Sequence, residues 1–211
     1  MDTASFEKLP LMGIVRGISG GGIAPLIDAV AEAGLRTIEI TMNTPGAADI
    51  IKAARAAAAG RLAVGAGTVL GMEGLKEALN AGAEFIVMPA APGNVIEHCV
   101  RNSVPVFPGA LSPQEVRSAW EKGAAMVKVF PCGVFGPGYI KQLKGPFDDV
   151  KLMAVGGVRL ENIAEYFSNG ADAVAFGSSV FKKEWLEAGD LGSIGRLVGE
   201  YVRAVKEAKK G

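Results

Sequence analysis

Met126-Val127-Lys128-Val129-Phe130-Pro131 follows the helix-ending pattern Glu121-Lys122-Gly123. A short apolar run bounded by Gly and Pro reads as a buried strand. The same arrangement recurs on either side of it. Ala33-Gly34 precedes Leu35-Arg36-Thr37-Ile38-Glu39-Ile40, Ala81-Gly82 precedes Glu84-Phe85-Ile86-Val87-Met88, and Asn169-Gly170 precedes Ala173-Val174-Ala175-Phe176. A glycine just past a helix end supplies the left-handed cap that turns the chain into the next strand. Four further strands fit the gaps, at residues 13–16, 62–66, 104–107 and 152–155. Strands that alternate with helices pair in parallel through right-handed crossovers. Eight units of roughly 25 residues match a closed (β/α)8 TIM barrel better than an open doubly wound sheet, the other arrangement this pattern allows. The expectation is an α/β chain forming one domain over residues 1–211, with an N-terminal helical segment. Residues 194–209 form the helix that closes the barrel.

The composition narrows the function classes. The chain has 211 residues, 49% of them hydrophobic, and a net charge of zero, which suits one large core. The neutral balance gives no electrostatic reason to expect nucleic acid or an acidic membrane surface as partner. Residues 1–10 are mixed polar, unlike a signal peptide or a membrane helix. Cys99 and Cys132 lack metal-type spacing and read as free thiols in a reducing cytoplasm. His98 is the single histidine, expected on a helix surface or half-buried. It leaves no His-rich metal site and argues against a Ser-His triad.

A barrel of this kind carries its chemistry at the C-terminal ends of its strands. The polar residues that interrupt the apolar runs fall there. Lys128 stands inside the sixth run, where a buried ammonium loses hydration and its neutral, nucleophilic form is favoured. The plainer reading is a lysine whose amine reaches water at the strand end. Glu39, flanked by Ile38 and Ile40, is shielded enough to exchange protons near neutrality, or else forms an ion pair with a barrel lysine or arginine. Arg16 offers a fork for a carboxylate, or a partner for Glu39. Thr68, after Gly65-Ala66-Gly67, could hold a carboxylate by its hydroxyl, or cap the helix beginning near Gly71. Phe130 and Pro131 would form an apolar wall. Gly156-Gly157 and Gly177-Ser178-Ser179 follow the seventh and eighth runs, where barrels often bind phosphate on backbone N–H groups; tight turns are the alternative. Together these residues suit one reaction. Lys128 forms an imine with a 2-oxo acid, the imine accepts electrons as the C3–C4 bond breaks, and Glu39 moves the protons. No metal or cofactor is required.

Several stretches resemble the motifs of a known family. They are Glu39-Ile40-Thr41, Gly65-Ala66-Gly67-Thr68-Val69, Phe85-Ile86-Val87-Met88-Pro89, Val127-Lys128-Val129-Phe130-Pro131, Lys144-Gly145-Pro146-Phe147, Gly156-Gly157-Val158 and Gly177-Ser178. The family is the 2-keto-3-deoxy-6-phosphogluconate (KDPG) and 4-hydroxy-2-oxoglutarate aldolases, class I lyases on an eight-stranded barrel. The resemblance covers nearly the whole chain. It implies Lys128 as the Schiff-base lysine and Glu39 as the general acid/base. It implies that Thr68 helps bind the pyruvyl carboxylate, with Pro89 and Phe130 also at the substrate. Gly156, Gly157, Gly177 and Ser178 or Ser179 would hold the phosphate. It also implies a homotrimer in the cytoplasm. Asn43 stands where gluconate-type members have arginine. Asparagine there is similar to the 6-phosphogalactonate (KDPGal) branch, as are Arg16-Gly17-Ile18 and Phe135-Gly136-Pro137-Gly138-Tyr139-Ile140-Lys141. Either C4 epimer therefore stays open as substrate, with 4-hydroxy-2-oxoglutarate beside them.

Two rival readings use the same residues. A phosphosugar isomerase or epimerase would use Glu39 as base and Lys128 only as an electrostatic stabiliser. A noncatalytic phosphate-binding barrel would keep Glu39 and Lys128 as a structural ion pair.

Overall fold

The computed structural model describes residues 1 and 3–210. Nine parallel strands are assigned among them: β1 (Leu11–Val15), β2 (Thr37–Thr41), β3 (Ala63–Gly67), β4 (Ile86–Val87), β5 (Val106–Phe107), β6 (Gly109–Ala110), β7 (Val127–Val129), β8 (Leu152–Val155) and β9 (Ala173–Phe176). They neighbour one another in the order β5-β4-β3-β2-β1-β9-β8-β7-β6. The two ends of that order, β5 and β6, are separated only by Pro108. Proline has no N–H to give a ladder, which divides one barrel strand into two assigned pieces. That strand bonds on both sides. Met88 donates to Phe107, while Lys128 donates to Pro108 and Phe130 to Ala110. The barrel therefore closes with eight strands. The fifth expected strand runs further along the chain than residues 104–107, since β6 reaches Ala110.

The helices are α1 (Thr3–Lys8), α2 (Gly20–Glu32), α3 (Ala47–Ala58), α4 (Met72–Asn80), α5 (Gly93–Arg101), α6 (Pro113–Glu121), α7 (Gly138–Lys144), α8 (Ile163–Ser168), α9 (Lys183–Ala188) and α10 (Leu191–Ala208). Gly34, Gly82, Gly123 and Gly170 all have φ between 89° and 96°. The residue after each donates five residues back into the preceding helix, as in Leu35 to Val30 and Ala83 to Ala78. That pairing satisfies carbonyls the helix end would leave bare. The repeated glycine thus sets every one of these four helix-to-strand turns. The last helix, α10, packs against α2 and α8 and completes the outer ring.

Side chains alternate between the helix layer and the barrel interior. The interior set includes Met12, Phe85, Val87, Phe107, Met126, Met153 and Val155, with Phe6 of α1 inserted at the N-terminal end. Phe107 meets Phe6 edge-on at 5.6 Å between ring centroids and Phe85 at 5.9 Å. Lys128 lies two residues past Met126 and therefore shares its interior face.

Candidate active site

Glu39 and Lys128 are polar exceptions in this interior. Glu39 is 1% exposed and Lys128 6% exposed. Glu39 pairs in register with Ile14 on one side and Gly65 on the other. Room for its carboxylate comes from Gly67, where a β-carbon would stand 2.3 Å from Glu39 Oε1. Burial raises the Glu39 pKa, and the positive charges of Lys128 and Arg16 partly offset that rise. Oε2 has no hydrogen-bond partner among the described residues. None of the ion pairs found among them includes Glu39, Lys128 or Arg16. The structural pair that a noncatalytic barrel would keep is not formed. Instead one shielded acid and two cations act on each other at longer range. Above Lys128 sits Phe130, with the amine 5.2 Å from the ring centroid. Phe130 is 39% exposed, so it faces the cleft as well as the amine.

Arg16, Phe130, Gly156, Gly157, Gly177, Ser178 and Ser179 line one cleft of about 500 Å³ at the C-terminal ends of β1, β8 and β9. Gly156 and Gly157 have φ of 89° and 79°. Both lie in the left-handed region that glycine adopts without steric cost. Gly157 is also fixed by packing, because a β-carbon there would lie 2.9 Å from Gly133 Cα. Ser179 is engaged within the protein: it donates to Val158 O at 3.4 Å and accepts from Tyr201 at 3.3 Å. Its hydroxyl ties the β8 and β9 loops together. Ser178, by contrast, is exposed.

Thr68 and Pro89 border neighbouring depressions rather than this cleft. Pro89 lines one of about 530 Å³, from which Phe130 divides the main cleft. Thr68 shares another with Asn43. Thr68 does not cap α4, whose N-cap is Gly71. Its φ is 57°, a conformation β-branched residues rarely adopt, which marks a position held by its surroundings.

Three features escaped the sequence. Arg159 lines the main cleft. Asn162 clasps its loop, accepting from Arg159 N at 2.8 Å and donating to Gly157 O at 2.9 Å. Thr44, 3% exposed, accepts from Gly17 N at 3.0 Å and lies 3.1 Å from the Thr41 hydroxyl, which anchors the loop after Arg16. The signal for Arg159 was its place directly after Gly156-Gly157-Val158. The others depend on loop geometry. Elsewhere, His98 is half-buried. Cys99 and Cys132 are free and buried, and burial pushes both thiols up to about 11. Among the described residues, no three His, Cys, Asp or Glu side chains gather as a metal site would require, and no helix is long and apolar enough to cross a membrane.

The sequence model described as "Aldolase: KDPG and KHG aldolase" matches residues 3–197. The chain belongs to the KDPG and KHG aldolase family. It is accordingly an enzyme of the aldehyde-lyase class. The 2-dehydro-3-deoxy-6-phosphogalactonate aldolase of Escherichia coli K12 is 36% identical over 83% of this chain and 86% of that protein. The 2-dehydro-3-deoxy-phosphogluconate aldolase of Treponema pallidum is 35% identical over 86% of each. A solved native KDPGal structure aligns with a TM-score of 0.90 at 33% identity, over 97% of this chain and 98% of that one. Relatives of both the galactonate and the gluconate type thus stand at nearly equal distance.

Proposed function

We propose that this aldolase cleaves a 2-keto-3-deoxy-6-phospho sugar acid, KDPG or KDPGal, to pyruvate and glyceraldehyde 3-phosphate through an imine on Lys128. The carrying observation is that Glu39 and Lys128 share the barrel interior, with Arg16 exposed just past the end of β1. One buried acid faces two cations without being neutralised by a close ion pair. In the proposed reaction the Lys128 amine attacks the C2 carbonyl, and the carbinolamine loses water to give a protonated imine. The C3–C4 bond then breaks and its electrons enter the imine to form an enamine. Glu39 takes the C4 hydroxyl proton as the aldehyde forms and returns one to C3. Water hydrolyses the new imine, releasing pyruvate and restoring the amine. A carboxyl with a raised pKa is suited to both halves of that proton traffic.

Arg16 and Thr68 are assigned to the carboxylate end, with Pro89 and Phe130 as apolar walls. Gly156, Gly157, Gly177 and Ser178 are assigned to the phosphate, with Ser179 holding their loops. The same site would accept 4-hydroxy-2-oxoglutarate, which lacks the phosphate. The enzyme is proposed to act in the cytoplasm, as one barrel domain within a homotrimer.

The test is product analysis. Purified protein given KDPG or KDPGal should release pyruvate and glyceraldehyde 3-phosphate in equal amounts. Conversion of either acid to an isomer without pyruvate would contradict the proposal and favour the isomerase reading.

A further inference from the structure

We infer that Arg159 is a specificity-determining residue, supplying the cation that lets this enzyme prefer phosphorylated substrates. The inference rests on the proposed placement of the phosphate in the cleft above β8 and β9. Among the described residues, Arg16 and Arg159 are the charged side chains that line this cleft, and no acidic side chain lines it. A phosphate monoester carries close to two negative charges near neutral pH, so two cations match it in number. The two arginines are not equivalent. Arg16 is one of the two cations whose field acts on buried Glu39, which places it toward the reacting end. Arg159 follows directly on Gly156-Gly157-Val158, the loop assigned to the phosphate, and lines the same cleft.

Its backbone is held for that task. Arg159 N donates to Asn162 Oδ1 at 2.8 Å, and the same side chain's Nδ2 donates to Gly157 O at 2.9 Å. One asparagine therefore locks Arg159 to the glycine loop. The Arg159 side chain is exposed, and it forms none of the ion pairs found among the described residues. An arginine outside any ion pair, beside the glycine loop assigned to the phosphate, can give a phosphate a bidentate contact. Arg16 would then serve the carboxylate and Arg159 the phosphate. Binding energy gained at the remote end orients the reacting end, so it appears in kcat/KM.

The experiment compares kcat/KM for KDPG, KDPGal and 4-hydroxy-2-oxoglutarate in wild type, Arg159→Ala and Arg159→Lys. Inhibition of KDPG or KDPGal cleavage by inorganic phosphate is measured alongside. In Arg159→Ala, the ratio of kcat/KM for phosphorylated over unphosphorylated substrate should fall roughly tenfold, the worth of one charge-assisted hydrogen bond. The phosphate inhibition constant should rise by a similar factor, and Arg159→Lys should recover most of both losses. A wild type that prefers the phosphorylated acid and is inhibited by phosphate, with both properties unchanged in Arg159→Ala, would overturn this inference alone. A wild type with neither property would remove the phosphate placement itself, and this inference with it.

Discussion

Two glycines on β3, two residues apart, divide the barrel interior into a floor and an active end. A β-carbon at Gly65 would stand 2.4 Å from the Phe85 ring, and one at Gly67 would stand 2.3 Å from Glu39 Oε1. The same omission of a side chain serves opposite ends. Below, the vacated space holds the Phe85 ring, packed edge-on against Phe107, which in turn meets Phe6, and its worth is apolar burial. Above, it holds a carboxylate with one oxygen unpartnered and a raised pKa, and that costs stability. The strand thus gives stability at one layer and reactivity at the next. A barrel can hold a strained charged layer because the layers beneath it are packed shut.

The contrast can be broken most sharply at Lys128. Lys128→Ala should leave a folded protein whose lyase activity is down by roughly 10⁴-fold or more, as for loss of a covalent nucleophile. Retained activity would move the nucleophile elsewhere. Glu39→Gln should lower kcat by roughly 10² to 10⁴ while making the protein more stable. The sign follows from the raised pKa. Folded Glu39 binds its proton more tightly than unfolded Glu39, so the folded state loses stability as pH rises from the ordinary value of 4.5 through the raised one. The gain in melting temperature of Glu39→Gln over wild type should therefore grow as the pH rises above 4.5. A gain that shrinks with pH would mean that Glu39 is ionised and well satisfied in the fold.

Smaller changes sharpen the comparison on β3 itself. Gly67→Ala should displace the Glu39 carboxylate and cost roughly 10² in kcat, the usual effect of about 1 Å of misplacement. Gly65→Ala should instead cost about 1–3 kcal/mol of stability by overpacking Phe85, with kcat of the folded fraction close to wild type. Thermal melts and steady-state kinetics on the same two preparations decide it. If both variants lose stability equally and activity equally, the interior is not layered in this way.

Much of the fold could be read in the sequence. The glycine that ends four of the helices and the apolar run after it give the barrel, because a left-handed cap and a buried parallel strand each have a local signature. Glu39 and Lys128 stood out as charges inside such runs. The split of one strand at Pro108 was harder to see, since the residues on either side of it pair with different neighbours. The partners of Gly65 and Gly67 were not visible at all. They lie on other strands, and only the register brings Phe85 and Glu39 against β3. Arg159 has no local signature for a different reason. An arginine beside a glycine loop is ordinary in a sequence, and only the cleft reveals that no carboxylate there neutralises it.

The central claim is that the buried amine of Lys128 forms a covalent imine with the 2-oxo acid. It is tested most directly by adding pyruvate and borohydride to the wild-type protein, then measuring intact mass and mapping peptides. Reduction should add one pyruvate-derived group per chain, located on the peptide that carries Lys128. An adduct on Lys144 or Lys151 instead, or no adduct in a protein that still cleaves the substrate, would contradict the account.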